Sequence, residues 1–455
     1  MQLLSRNNTS GAEDSPITMS GLVVTPTALL DWRTRLTPHK AAVTYHEENI
    51  GWKTLTWKEF SDQVAQLASG FAALGVRQGD RVAIAANTSC AWAMVDFAIQ
   101  AAGGITVAIH PQYSTAEMRH VVEETRPLIF CCDELFLQRF SHDSLNVAGN
   151  TSVYSLGRVV KGIGVIGSLD EIRTAGRNGF KNGVAKVAPE EIATIVFSSG
   201  STGMPKAICL SHRNLVSTAR AAYEHFGHHK ARSLHWLPFA HMFGRIGFYI
   251  DIVAGSETTF SRGVEFLKED IHDARPTILF MVPKALNRIR TELMSRIDRK
   301  ARPIRVVLGA WMSLVTNYLR GESRVNTALF SYMSLIVKKT LLRKIHTHFG
   351  GALEVIIVGG APVDATLVEY FEGLGISVRE GFGMTETTGV ALLQPLASRC
   401  IGNVGSAIPS ISFTLADDGE LLLKGHSVCQ RYLNAQHHNR AFTNDGWLKT
   451  GDLAK

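Results

Sequence analysis

The chain reads as an α/β protein: two parallel-sheet subdomains with flanking helices, plus a small antiparallel β module. Three observations predict this. Apolar runs at Arg81–Ala85, Ile105–Ile109 and Leu128–Cys132 recur about 24 residues apart, with helical patterns between them. That alternation gives parallel strands joined by right-handed crossovers. A second set of candidate strands follows at Ala193–Phe197, Thr277–Met281, Glu354–Val358 and Ser377–Glu380, again with helical patterns between. From about Leu396 onward the texture changes to short alternating runs, which suits antiparallel pairing.

Each element has a local cause. Thr56-Trp57-Lys58-Glu59 is a capping-box pattern, in which the first hydroxyl and the fourth carboxylate satisfy each other's backbone amides. Phe60, Val64, Leu67, Phe71 and Leu74 then recur at helical spacing, and Gly75 ends the helix. Ser114-Thr115-Ala116-Glu117 opens another helix in the same way. Ser412–Leu415 and Glu420–Lys424 alternate around an Asp417-Asp418-Gly419 turn. The expected divisions are a polar, disordered leader at 1–20, a first α/β subdomain at 21–190, a second at 191–395 and a β-rich part at 396–455.

Composition narrows the class. At 455 residues, with 45% hydrophobic and 19% charged, the chain is neither disordered throughout nor a collagen. Six cysteines lie scattered with no C-x-x-C, which points to reduced thiols in a cytosolic, hence cytoplasmic, setting. The His228-His229 and His437-His438 pairs lack the i, i+4 spacing of two ligands on one helix face, so no zinc site is expected. Residues 1–20 carry no apolar signal core. The longest uncharged stretch, Phe97 to Ala116, holds Gln, His, Pro and two Gly, and so is no spanning helix.

The net charge of +7 is uneven. Residues 288–345 hold 13 Lys/Arg against 3 Asp/Glu, an excess of +10 that leaves −3 for the rest. Apolar stretches in that segment, Trp311 to Leu319 and Ala328 to Val337, are flanked by Arg320, Lys338, Lys339, Arg343 and Lys344. Two readings stand open: a surface that meets anionic lipid, giving peripheral membrane contact, or core helices with solvated basic ends. No nucleic-acid partner is expected.

Ile192 to Phe197 runs as a strand into Ser198-Ser199-Gly200-Ser201-Thr202-Gly203-Met204-Pro205-Lys206. Glycines let consecutive amides face an anion, hydroxyls add donors, and lysine adds charge. The chemistry is that of a phosphate cradle. It is not a Walker A loop, because Pro205 and Ala207 frame the lysine and an apolar run follows.

This loop resembles the signature of the acyl-adenylate-forming (AMP-binding) superfamily, and further motifs follow in the family's order. Leu237-Pro238-Phe239-Ala240-His241-Met242-Phe243-Gly244-Arg245 is similar to the next motif, and Gly359-Gly360-Ala361-Pro362 to the adenine-side turn. Gly381-Phe382-Gly383-Met384-Thr385-Glu386-Thr387-Thr388-Gly389 resembles the motif that holds AMP and magnesium. Gly419 to Gly425 and Thr450-Gly451-Asp452 resemble the last motifs before a hinge.

The resemblance implies the large N-terminal domain of an acyl-CoA synthetase, most like long-chain fatty acid–CoA ligases (AMP-forming). It implies ATP and Mg²⁺ as cofactors, CoA as co-substrate of the complete enzyme, and a fatty acid as substrate. Ser198, Ser199, Gly200, Ser201, Thr202, Gly203 and Lys206 would cradle phosphates. Thr385 would donate to the α-phosphate, and Glu386 would bind the metal. Phe382 would stack on adenine, with Gly360, Ala361 and Pro362 on the other side of the base and Gly383 and Met384 completing the AMP motif. His241 would orient the attacking carboxylate, and Asp452 would accept the ribose hydroxyls. Phe382 replaces the family's usual tyrosine, and Ala207 a usual glycine. The family's small C-terminal domain, with its lysine, is expected to lie beyond Lys455. A separate partner supplying that domain, or a non-catalytic nucleotide- or lipid-binding role, are the alternatives.

Overall fold

The computed structural model describes residues 23–139, 151–157, 165–177, 185–198, 203–227, 231–299, 302–319, 329, 332–334, 336–337, 342–398 and 401–454. The expected leader at 1–20 lies outside them. Among the described residues there are two large sheets and one small one.

In the first sheet the strand order is Arg431–Tyr432, Lys206–Ser211, Ile192–Ser198, Ile105–Ile109, Arg81–Ala85, Ile129–Cys132, Ser152–Ser155, Val165–Ser168. From Ile192–Ser198 to Val165–Ser168 every pairing is parallel. In the second sheet the order is Ser406–Ala407, Leu392–Leu393, Ser377–Phe382, Val355–Val358, Ile278–Met281, Arg232–His235, Glu257–Phe260, Ala41–Glu47, Gly51–Thr56. Ile411–Leu415, Glu420–Gly425 and Leu448–Leu453 form the small antiparallel sheet.

Both capping boxes form, at Thr56 and at Ser114. The helix Trp57–Ala73 buries Phe60, Val64, Leu67 and Phe71, as its spacing requires. One strand changes company. Ala193–Phe197 reads as part of the second strand set, but Ile192–Ser198 pairs with Ile105–Ile109 in the first sheet. Meanwhile the early strands Ala41–Glu47 and Gly51–Thr56 join the second sheet. A continuous apolar run reports burial on both faces, not which neighbour supplies it. Here Thr194 decides, donating its hydroxyl to the Thr106 carbonyl at 2.8 Å.

A buried polar knot joins the two halves. Arg245 and Asp96 are almost wholly excluded from water. The guanidinium donates to Asp96 through Nε (3.0 Å) and Nη2, and to Thr194 through Nη1 (2.9 Å). Asp96 also accepts from Tyr249, Gln100 and Thr106 at 2.8–2.9 Å. A buried charge pair holds only when its remaining donors and acceptors are satisfied, and these are. The knot fixes the helix Met242–Ala254, which carries functional side chains at its start.

The basic segment contributes the helices Pro283–Asp298 and Arg302–Leu319. Leu308, Trp311 and Val315 of the second are buried, and the Trp311 indole donates to the Gly373 carbonyl at 2.7 Å. Val306 and Val307 face outward, 63% and 55% exposed. Arg320, Lys338 and Lys339 lie outside the described residues. Among the described residues no helix is long and apolar enough to cross a membrane.

Candidate active site

The phosphate loop is the tip of an antiparallel hairpin, Ile192–Ser198 against Lys206–Ser211, with Ser198 directly opposite Lys206. That register brings the hydroxyl and the ammonium to one end of the sheet. His120 Nε2 lies 3.0 Å from the Pro205 carbonyl and ties the returning arm to the helix Thr115–Thr125. Ser199, Gly200, Ser201 and Thr202 lie outside the described residues.

Facing the hairpin is a polar cleft of about 900 Å³. Leu237, Val282, Gly360 and Gly383 border it. Each follows the C-terminal end of a parallel strand of the second sheet, which is where α/β folds place their ligands. Lys206, Arg440 and Lys449 also line the cleft, with Glu386 and Glu420. A polyanion such as a triphosphate suits that balance.

The motif after Ser377–Phe382 is tightly seated. A Cβ on Gly383 would lie 2.3 Å from the Gly389 carbonyl oxygen, so the turn closes only with glycine there. Thr388 sits at φ +57, a strained value for a β-branched residue. Its hydroxyl donates to the Ser427 carbonyl at 2.7 Å and locks it. Next to it, Glu386 is only 5% exposed. The Tyr432 hydroxyl donates to Glu386 Oε1, and the Cys429 amide donates to the Glu386 carbonyl at 2.6 Å. Burial, and then the Glu386 carboxylate, push the Tyr432 phenol far above its ordinary value, so it remains a donor. The tyrosine's bond falls on one carboxylate oxygen, so Oε2 remains to meet a hard cation. With phosphate oxygens alongside, that donor set fits Mg²⁺.

His241 caps the helix Met242–Ala254 without a side-chain hydrogen bond to it. Its ring borders the cleft. The approach is fixed by Thr88, whose hydroxyl donates to the Leu237 carbonyl (2.7 Å) and accepts from the Phe239 amide (2.8 Å). The His110 ring lies 4.7 Å from that of His241. Burial, and then His241, pull His110 down to about 4, and burial lowers His241. Both rings are therefore neutral at pH 7 and can act as hydrogen-bonding groups rather than charges.

A second, apolar cavity of about 40 Å³ opens beside the cleft. It shares Phe243, Gly360, Gly383 and Gly389 with it. Tyr223, Phe226, Ile250, Phe280, Ile357 and Phe382 form much of its wall.

The model of one protein family, described as AMP-binding enzyme, matches residues 30–433. The chain belongs to the AMP-binding enzyme family. A long-chain-fatty-acid–CoA ligase of Mycobacterium bovis is 30% identical over 428 residues, which are 88% of this chain and 67% of the relative. The chain thus spans about two thirds of that relative's length. The family's fold is equally visible in three dimensions. A long-chain-fatty-acid–CoA ligase of Archaeoglobus fulgidus superposes with a TM-score of 0.71 at 21% identity, over 94% of this chain and 80% of that one. The N-terminal domain of FACL13 from Mycobacterium tuberculosis gives 0.69 at 18%, over 94% and 96%.

Of the residues expected at the site, Ser198, Lys206, His241, Gly360, Gly383, Met384, Thr385 and Glu386 meet on the cleft. Gly203, Ala361 and Pro362 are exposed and are not part of its lining. Asp452 is exposed next to Thr450 and Gly451, which do border it. Phe382 faces the apolar cavity. Sequence reasoning missed Tyr432, Arg440, Lys449 and His110. Lys449 had a signal, directly preceding Thr450-Gly451. His110 had another, standing just past the strand Ile105–Ile109. Tyr432 had none, since only the pairing of Arg431–Tyr432 with Lys206–Ser211 brings it to Glu386.

Proposed function

We propose that this chain activates a fatty acid. The carboxylate oxygen attacks the α-phosphorus of ATP, a P–O bond forms to give acyl-AMP, and the bond to pyrophosphate breaks. In the complete ligase the acyl group then passes to CoA. One observation carries the reading: the cleft, with Lys206, Arg440 and Lys449 in its lining, shares Phe243, Gly360, Gly383 and Gly389 with an apolar cavity. One site needs both a place for a polyanion and a place for a hydrocarbon tail, with the reacting atoms at the junction.

Lys206 holds the phosphates together with the loop ahead of it, and Arg440 and Lys449 add charge. Thr385 donates toward the α-phosphate. Neutral His241, on the cleft wall, orients the carboxylate without pairing with it as an ion. Glu386 would hold Mg²⁺, which supplies neutralisation of charge on the phosphates. Tyr432 keeps the Glu386 side chain in place. Fatty-acid-dependent exchange of labelled pyrophosphate into ATP tests the reading. Exchange that requires both the acid and Mg²⁺ supports it. No exchange with any acid, while ATP still binds, overturns it.

We also propose that the 288–345 surface docks at anionic lipid. Exposed Val306 and Val307 beside Arg302 and Arg305 support this. Co-sedimentation with anionic liposomes should weaken as salt rises. Salt-independent behaviour would count against it.

A further inference from the structure

We infer that His110 is a positioning residue for the activation step: its ring, held in one tautomer by its own turn, backs the His241 ring and keeps it aimed at the acyl carboxylate. The inference rests on the acyl-activating reading above and adds a residue that does not itself border the cleft.

His241 has little of its own to hold it. It is the N-cap of the helix Met242–Ala254, in extended backbone (φ −100°, ψ 136°), and its side chain makes no capping bond. Among the described residues neither of its ring nitrogens has a hydrogen-bond partner. A side chain with two free torsions samples many unproductive angles, and fixing it in advance favours an oriented attack. Among the described residues the one aromatic ring in contact with it is that of His110, 4.7 Å between centroids and tilted by 37°. Ring pairs attract at that separation.

His110 is held where His241 is not. It directly follows the strand Ile105–Ile109, which pairs with the hairpin arm Ile192–Ser198. The Gln112 amide donates to His110 Nδ1 at 3.2 Å, and the Tyr113 amide to the His110 carbonyl at 3.1 Å. Arg139 donates to the carbonyls of Pro111 and, at 3.1 Å, Tyr113. The ring contact thus carries the rigidity of the first sheet to a side chain at the start of a helix in the other half.

The tautomer follows from the same bonds. Because Nδ1 accepts from an amide, the proton of the neutral ring is on Nε2. A second proton would have to sit on Nδ1, facing the Gln112 N–H and breaking that bond. Glu117 favours the charged form, but burial and His241 outweigh it. The Glu117 carboxylate is also engaged by the Ser114 amide and hydroxyl, each at 2.7 Å. A cationic ring here would draw the acyl carboxylate toward itself and away from the phosphorus. A neutral one supports His241 without competing for the substrate.

The test is a double-mutant cycle in fatty-acid-dependent pyrophosphate exchange, with His110→Ala, His241→Ala and the pair. His110→Ala should lower kcat about tenfold and leave the KM for ATP within about twofold. In the His241→Ala background the same change should cost less than about twofold, because the ring it supports is gone. His110→Phe, which keeps a flat neutral ring, should recover most of the loss. If His110→Ala does not fold, His110→Leu takes its place in the cycle. Equal costs in both backgrounds, an effect on the KM for ATP with kcat kept, or no recovery in His110→Phe would overturn the inference. If no acid supports exchange, the parent reading fails, and histidine NMR of the full chain decides this one. At pH 7 the ¹⁵N signals should show His110 protonated on Nε2 only, and loss of its ring should shift and broaden the His241 ring signals. A proton on Nδ1, or His241 signals that do not move, sinks it.

Discussion

The polar cleft and the apolar cavity share four residues and little else. The cleft is wide, about 900 Å³, and its lining is drawn from short runs spread from Ser198 to Gly451. The cavity is about 40 Å³, and its wall is assembled from two helices, several strands and their connections. The cleft's parts are held by hydrogen bonds: Tyr432 on Glu386, Thr388 on Ser427, Thr88 on both sides of the Leu237–Phe239 turn. The cavity's parts are held by packing. A polyanion site tolerates space, because water and ions fill it, whereas a hydrocarbon site gains only where the walls touch the chain.

The largest effect should come from the knot that supports both regions. Arg245→Ala leaves Asp96 buried and unpaired and should cost about 3–5 kcal/mol in urea denaturation, impairing cleft and cavity together. Loss of exchange with full stability would break that link. Lys206→Ala should separate the regions. Exchange should fall about 100-fold while binding of the fatty acid is retained, and parallel loss of both would argue against independent sites.

A third effect is on pH. Burial pulls His212, just behind the hairpin, down to about 4 from an ordinary 6.5. Between those values the unfolded chain takes up a proton that the folded chain refuses. Stability should therefore fall as pH drops from 6.5 to 4, by on the order of 2 kcal/mol. Denaturation across that window checks it, and His212→Leu should flatten the slope. The smallest change is Tyr432→Phe, which frees the Glu386 carboxylate. The Mg²⁺ concentration for half-maximal exchange should rise about tenfold. An unaltered Mg²⁺ requirement would show that Glu386 needs no such anchor.

Much of the first sheet was legible. Arg81–Ala85 and Ile105–Ile109 are strands at the residues their apolar runs mark, and the Thr56 and Ser114 boxes open helices as their spacing demands. The placement of Ile192–Ser198 was not, because burial on both faces carries no label for the partner. At the site, Lys206, His241 and Glu386 stand in motifs and were readable. Phe382 was expected to stack on adenine, and the structure places it in the lining of the apolar cavity. Alternation along Ser377–Phe382 does not say which face meets which ligand.

By itself the sequence determined many of the element types, the glycine- and hydroxyl-rich loop before Lys206 and the family's ordered motifs. These depend on neighbours a few residues apart, where capping, periodicity and backbone freedom act. The tertiary structure alone decided that Tyr432 anchors Glu386 and that His110 sits against His241. Those contacts join segments from 46 to 131 residues apart. Their partners are chosen by how sheets and helices pack, and no local pattern encodes that choice.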